Sequence, residues 1–222
     1  MMHIETTHQG LQVHTLPVAQ LASAAALVAA SFRQEGFTRN THNLSTPARQ
    51  RRYAIAGELR LWFGHVSGQR LLAVSEGETL AGIAVVKPPT PTSVPWPKLL
   101  WTILRRAPSL VGIIGDLRWR QALRIKPAMK APAMLPPAHY TLELLAVAPE
   151  FQGQGIGRLL LEDIHARCEQ DRQAAGIYLF TGDEKNREIY QRFGYHVLQA
   201  NQGGPLTVWH MFRPNAPSIL DE

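Results

Sequence analysis

Apolar and polar positions follow two periods along this chain, and the switches between them mark out elements. Residues 10–16 set Leu11 and Val13 between polar neighbours and predict a short strand. Pro17 then opens an alanine-rich helical stretch to about residue 32, with Leu21, Ala25, Val28 and Ala29 on one face. Thr46-Pro47 reads as an N-cap followed by proline at the first helical position, starting a helix to about residue 63. Residues 70–75 and 79–87 are apolar runs rich in β-branched side chains, separated by Glu76-Gly77-Glu78, and predict a hairpin. Residues 139–147 form the next predicted strand. Ile156, Leu159, Leu160, Ile164 and Cys168 then keep a helical period over 156–173. A strand at 176–181, a short helix at 186–193 and strands at 195–198 and 207–212 complete an α/β order with a mixed sheet. Its strand–helix–strand unit implies a right-handed crossover.

Ten of the 16 prolines fall between Pro88 and Pro137, which isolates a proline-rich insert with two possible short helices, 98–106 and 117–125. The expected organisation is a single domain over 10–213, with 88–137 as the insert and 1–9 and 214–222 as flexible ends. The insert also holds the charge. Lys98, Arg105, Arg106, Arg118, Arg120, Arg124, Lys126 and Lys130 face one acid there, Asp116, so the formal net charge of +6 is a local feature. A uniformly basic surface is absent, and nucleic acid is not an expected partner.

A hydrophobic fraction of 45% is ordinary for a folded core. No apolar run reaches the ~18 residues of a membrane span. The alanine-rich stretch near the N-terminus resembles a secretion signal, but no Lys or Arg precedes Arg33. The single cysteine, Cys168, excludes a disulfide framework and reads as a small core residue, which suits a reducing compartment. A cytoplasmic protein, monomer or homodimer, is expected. The histidines lie singly, without metal-ligand spacing, and no metal is inferred. Trp96, Trp101 and Trp119 among the insert's arginines fit either a ligand surface or core aromatics under a solvated face.

The most informative stretch runs from Leu144 through Arg158. A strand ends at Val147, a turn follows, and Gly153, Gly155 and Gly157 precede an amphipathic helix. Glycines allow close backbone approach, and a helix N-terminus favours a phosphate. The spacing matches neither G-x-G-x-x-G nor a Walker A loop. Gln152-x-x-Gly155-x-Gly157 resembles the Q/R-x-x-G-x-G/A signature of the GNAT superfamily of acetyl-CoA-dependent N-acetyltransferases. The preceding Leu144-Leu145-Ala146-Val147-Ala148-Pro149-Glu150 and the later run from Asn186 to Tyr195 fit the same family in order. The layout most resembles puromycin-type acetyltransferases, which also carry a long insert before this strand.

The resemblance implies the GNAT acyl-CoA N-acyltransferase fold, acetyl-CoA as co-substrate and a small-molecule primary amine as acceptor. It implies that the backbone of Leu145, Ala146 and Val147 bonds the pantetheine arm. The loop of Gln152, Gly153, Gln154, Gly155, Ile156, Gly157 and Arg158 would cradle the pyrophosphate. A bulge would splay the strand before the loop from the 176–181 strand. Asn186 would contact pantetheine, and Tyr190 would stand near the sulfur as general acid, although its spacing also fits a core aromatic beside Phe193 and Tyr195. Glu143, a carboxylate in an apolar strand, is either a general base acting through water or a paired structural acid. His139 and Thr141 are weaker candidates. Acetylation of a protein or peptide amine, and a non-catalytic acyl-CoA-binding module, remain as alternatives.

Overall fold

The computed structural model describes residues 11–90, 112 and 114–215 of the 222. Seven strands form one sheet: β1 (Val13–Thr15), β2 (Arg70–Glu76), β3 (Thr79–Lys87), β4 (Tyr140–Val147), β5 (Gly176–Thr181), β6 (His196–Gly203) and β7 (Leu206–Pro214). Their spatial order is β1-β2-β3-β4-β5-β7-β6. Every pairing is antiparallel except β4 with β5, which the helix between them makes parallel. No helix among the described residues is long and apolar enough to cross a membrane.

Six α-helices that lie wholly among the described residues accompany the sheet: α1 (Leu21–Phe32), α2 (Gly36–Thr41), α3 (Pro47–Val66), α4 (Trp119–Ile125), α5 (Ile156–Gln170) and α6 (Glu184–Arg192). Each face of the sheet has its own core. On one face Leu72, Val74, Ala84 and Val86 pack with Leu160 and Ile164 of α5. On the other Leu71, Ala73, Ile83 and Val85 pack with Leu21, Ala25 and Val28 of α1 and Leu61 of α3. The two sets alternate along β2 and β3, as the two-residue period of a strand requires.

Local chemistry sets the helix boundaries. The Thr46 hydroxyl accepts from the Arg49 amide at 3.4 Å and Pro47 opens α3, as its sequence predicts. Helix α5 stops at Gln170, short of the expected 173. There Asp171 turns extended, and its carboxylate accepts from the Tyr140 hydroxyl at 2.8 Å and the Gln173 amide at 3.1 Å. Helix α2 is not predicted, and β6 runs past the predicted 195–198 to Gly203. The six residues of α2 are too few to show a period, and β6 is a polar edge strand held by its backbone ladder to β7.

The described part of the insert is anchored at two points. Asp116 is buried against Arg52 of α3, at 2.7 Å, and Arg49, at 3.1 Å, which hold its carboxyl below the usual range. The 3-10 turn Lys126–Met129 docks on β6 and β7 through the fully buried His210. Its Nε2–H donates to the Ala128 carbonyl at 2.8 Å. That leaves Nδ1 to accept from the Tyr178 hydroxyl at 2.6 Å. Trp119 is exposed, while the expected helix at 98–106, Trp96, Trp101 and the ends at 1–9 and 216–222 lie outside the described residues. Pro214 and Asn215, expected in a flexible end, are instead fixed. Pro214 closes β7, and the Asn215 side chain donates to the carbonyls of Cys168 and Ala174 at 2.9 and 2.7 Å.

Burial lowers the pKa of two histidines: His165, on α5 beside the Tyr195 hydroxyl at 3.2 Å, falls to about 4, and His210 falls as well. The unfolded chain therefore binds more protons below pH ~6.5, the ordinary histidine value. Stability is expected to be full above that pH and to fall as the pH drops towards 4, by roughly 3 kcal/mol for His165 alone. Urea melts between pH 7 and 4.5 would measure the slope, and His165→Gln should flatten it.

Candidate active site

The site begins with a fault in the sheet. Val85 pairs with Leu144 but Val86 pairs with Leu142, so Glu143 is an extra residue in β4. Beyond it the side chains change faces. Tyr140 and Leu142 belong to the α5 core, whereas Leu144 and Ala146 belong to the α1–α3 core and Leu145 and Val147 turn towards α5. Below the bulge β4 pairs with β5 only at Tyr140↔Ile177 and Thr141↔Tyr178. Above it the two strands part.

The exposed edge of β4 carries backbone groups from alternate residues. The Ala148 amide donates to Ala81 on β3 at 2.9 Å, so Ala148 and Ala146 direct their peptide groups into the β3 ladder. Leu145 and Val147 direct theirs into the gap. The Val147 carbonyl is already engaged there by the Ser31 hydroxyl at 2.8 Å and the Gln152 amide nitrogen at 3.3 Å, which leaves the Val147 N–H and the Leu145 peptide group facing the gap. Of Leu145, Ala146 and Val147, Ala146 turns its peptide groups to β3, and the other two face the gap.

Past Val147 the chain makes a 3-10 turn (Pro149–Phe151) and reaches α5 through two glycines with left-handed backbone, Gly153 at φ 77° and Gly155 at φ 82°. Gly155 is the N-cap, so the first-turn amides of Ile156, Gly157 and Arg158 have no acceptor within the helix. The helix starts close to the sheet because Gly82 of β3 has no side chain. A Cβ there would lie 2.6 Å from Ile156 Cγ2. A groove of about 710 Å³ runs from this loop along the β4 edge to α6.

A second cavity, of about 440 Å³, lies further down the gap, walled by Phe37, Leu142, Leu179, Phe180 and Met129 of the insert. Phe37 and Phe180 meet edge to face at 5.8 Å. Glu143 enters this cavity and not the groove. Its carboxylate stands 3.7 Å from Arg60, whose guanidinium also reaches the Glu143 carbonyl at 3.3 Å. His42 lines the cavity too. The Thr41 hydroxyl donates to the Phe37 carbonyl at 2.7 Å, so the 2.8 Å contact with His42 must have Nδ1–H as donor, leaving Nε2 as the ring's acceptor.

Groove and cavity meet at Phe32, Glu35, Leu145, Asn186 and Tyr190. Tyr190 stands on α6, whose N-cap Asp183 accepts from the Asn186 amide at 3.1 Å. Its ring packs edge to face on Tyr195 at 5.6 Å, and burial pushes its phenol up to about 12. Glu35 is the N-cap of α2, accepting from the Thr38 amide at 3.1 Å. Burial raises its carboxyl above the usual range.

Of the residues singled out in the sequence, Leu145, Ala146, Val147, Gln152, Gly153, Gly155, Ile156, Gly157, Asn186 and Tyr190 line the groove. Gln154 turns back to the Glu150 carbonyl at 2.9 Å, and Arg158 spans Glu162 at 3.6 Å and the Phe193 ring at 5.9 Å, so these side chains lie outside its walls. His139 bonds the Pro136 carbonyl, and Thr141 lies in the ladder to β5. Cys168 is fully buried, its thiol pushed up to about 11, which fits a core role. Sequence reasoning missed Glu35 and Ser31. The one available signal was an acid directly before Gly36, too weak without α2 to give it a cap role. Among the described residues no group of three or more His, Cys, Asp or Glu could hold a metal ion.

Residues 112–197 match the family model described as an acetyltransferase (GNAT) domain. The chain is similar to the solved structure of a histone acetyltransferase HPA2 and related acetyltransferase from Corynebacterium glutamicum. Identity is 18% and the TM-score 0.67, over 95% of this chain and 99% of that one. It is also similar to the ribosomal-protein-S18-alanine N-acetyltransferase of Escherichia coli, at 14% identity and TM-score 0.54, over 96% of this chain and 98% of that one. A PaiA N-acetyltransferase from Thermoplasma acidophilum in complex with coenzyme A matches at 10% identity and TM-score 0.56, over 92% of this chain and 99% of that one. At these identities the likeness is one of fold. Comparison with proteins of curated function returned no match.

The two signature glycines should respond differently to a side chain. Gly155→Val places a β-branched residue at φ 82° and is expected to lower stability by about 2 kcal/mol or more. Gly157→Ala adds a methyl that meets only Val147 and Leu145 at 3.6 and 3.8 Å, and should keep or slightly raise the melting temperature. Thermal melts of both variants would check this.

Proposed function

We propose that this chain, whose residues 112–197 match a GNAT acetyltransferase domain and whose fold is that of solved GNAT acetyltransferases, moves an acetyl group from acetyl-CoA to the primary amine of a small molecule in a ternary complex. The observation that carries the reading is the parting of β4 from β5 above Thr141. It opens a groove bounded at one end by the unpaired amides of α5 and at the other by Tyr190, with a second cavity beyond. The residues fit the co-substrate. Left-handed glycines and first-turn amides suit a pyrophosphate, and the Leu145 peptide group and Asn186 suit an amide-bearing arm.

Acetyl-CoA supplies an activated thioester, and the protein supplies placement and proton traffic. An alkylammonium, with pKa near ~10, must lose a proton before its nitrogen can attack. A backbone N–H on the open edge of β4 stabilises the oxyanion that attack creates. Tyr190, protonated at neutral pH, delivers a proton to the departing sulfur. The thiolate is a tolerable leaving group, with a reference pKa of ~8.5, so this acid assists without being indispensable. A cavity of about 440 Å³ with apolar walls suits a small amine better than an extended peptide.

Acetyl-CoA is expected to bind in calorimetry, and wild-type protein should release free thiol with at least one member of a panel of small primary amines. Absence of acetyl-CoA binding would remove the reading. Tyr190→Phe keeps the ring and its packing on Tyr195. It should lower turnover roughly a hundredfold, about 2.7 kcal/mol of transition-state stabilisation, with acetyl-CoA affinity and melting temperature unchanged. Turnover above half of wild type, with chemistry limiting, would place the acid elsewhere.

A further inference from the structure

We infer that Glu35 is the group that receives the acceptor's ammonium and takes its proton, and that the acceptor is a primary amine on an apolar body. The inference rests on the acetyl-transfer reading and deepens it. Only two titratable side chains among the described residues line both the groove and the cavity, Glu35 and Tyr190. A base and an acid for one transfer must both reach the point where the two reactants meet, and these two do. Glu143 lies in the cavity alone, with Arg60 as its partner at 3.7 Å.

Glu35 is held for this task by the fold. Its Oε2 accepts from the Thr38 amide, so the carboxylate is pinned at the start of α2 and cannot swing away. No Lys or Arg among the described residues forms an ion pair with it, so the cation it meets can come from the substrate. Burial raises its proton affinity, helped by the Asp183 carboxylate at the head of α6 and opposed by the amides of Phe37 and Thr38. A stronger base results. The remaining polar and charged groups of the junction and cavity among the described residues are Asn186 and Tyr190 on α6, Tyr53 and Arg60 on α3, Thr38, Thr41 and His42 at α2, Thr181 on β5, and Glu143 on β4. Around them the walls are Phe37, Phe180, Leu142, Leu179 and Met129, which fit a hydrocarbon body, and the other charged side chains of the cavity among the described residues, Arg60 and Glu143, already pair with each other.

The protons and electrons balance with these two residues. Glu35 takes one proton from the ammonium and passes it to solvent through the open groove. The freed lone pair forms the N–C bond, and the C–S bond breaks with its pair going to sulfur. Sulfur takes the Tyr190 proton, and one of the two protons still on nitrogen returns to the tyrosinate through solvent as the amide forms, leaving the other as the amide N–H.

The test uses the full chain, acetyl-CoA and 2-phenylethylamine, with free thiol as readout and acetyl-CoA affinity measured separately. Glu35→Gln keeps an oxygen that can cap α2, so the melting temperature should hold. The inference expects kcat/KM for the amine to fall at least a hundredfold at pH 7, with acetyl-CoA affinity unchanged. The acid limb of the wild-type pH profile, set by Glu35 ionisation, should be replaced by a rate that climbs with the amine's own deprotonation. Should Glu35→Gln fail to fold, Glu35→Asp, which shortens the same base, should fold and lower the rate while keeping the acid limb. A Glu35→Gln rate within threefold of wild type, or Glu143→Gln abolishing the acid limb instead, overturns the assignment. Wild-type protein that binds acetyl-CoA but leaves 2-phenylethylamine untouched overturns the acceptor class. Protein that does not bind acetyl-CoA overturns the acetyl-transfer reading itself.

Discussion

One extra residue in β4 organises the functional half of this molecule. Were Glu143 absent from the ladder, β4 would continue beside β5 and its edge would be consumed by hydrogen bonds. With it, Leu144 and Ala146 enter one core while Leu145 and Val147 address the other, and the upper part of β4 leans away from β5. Two buried faces hold that displacement, because sliding β4 back would turn apolar side chains out of both cores at once. The gap is thus a consequence of packing on either side of the sheet.

Around that gap each face contributes one partner. Helix α5 comes from one side, brought close by the bare backbone of Gly82 and ending in unpaired amides. From the other side comes α1, whose Ser31 hydroxyl lies between the carbonyls of Leu27 and Val147, tying the helix end to the open strand. The turn after α1 delivers Glu35 and α2, and α6 delivers Tyr190. The junction of groove and cavity is therefore built from three segments distant in sequence, which only the folded sheet brings within reach of one substrate.

The insert contributes in a simpler way. His210, buried and neutral, takes the Ala128 carbonyl with one ring nitrogen and the Tyr178 hydroxyl with the other. That places the following Met129 in the wall of the cavity. Asp116 holds the start of the described part against α3 through Arg49 and Arg52. Charge that looks like a basic binding patch in one dimension is partly accounted for by where its one acid is spent, and the described basic side chains from Arg118 to Lys130 stand in solvent.

What the amino-acid order determined by itself was everything carried by short-range periodicity and turn chemistry. The alternation of β2 and β3, the capped start of α3, the apolar stripe of α5 and the glycine loop before it are all local properties, and the structure places them within a few residues of where the pattern does. The core role of Cys168 was legible for the same reason, because a helical stripe faces a core. Tertiary structure alone decided the rest. The resemblance implied a bulge somewhere in β4, but not that Glu143 is its extra residue, since a lone carboxylate in an apolar strand fits a base or a paired structural acid equally. The polar far half of β6 shows no pattern, so the strand's extension past residue 198 was not legible. Glu35 stands before a helix too short to show a period, and its place on the same two cavities as Tyr190 depends on the packing of segments far apart in sequence. A proton's donor and acceptor are set by distance in space, and distance in space is what a one-dimensional pattern does not carry.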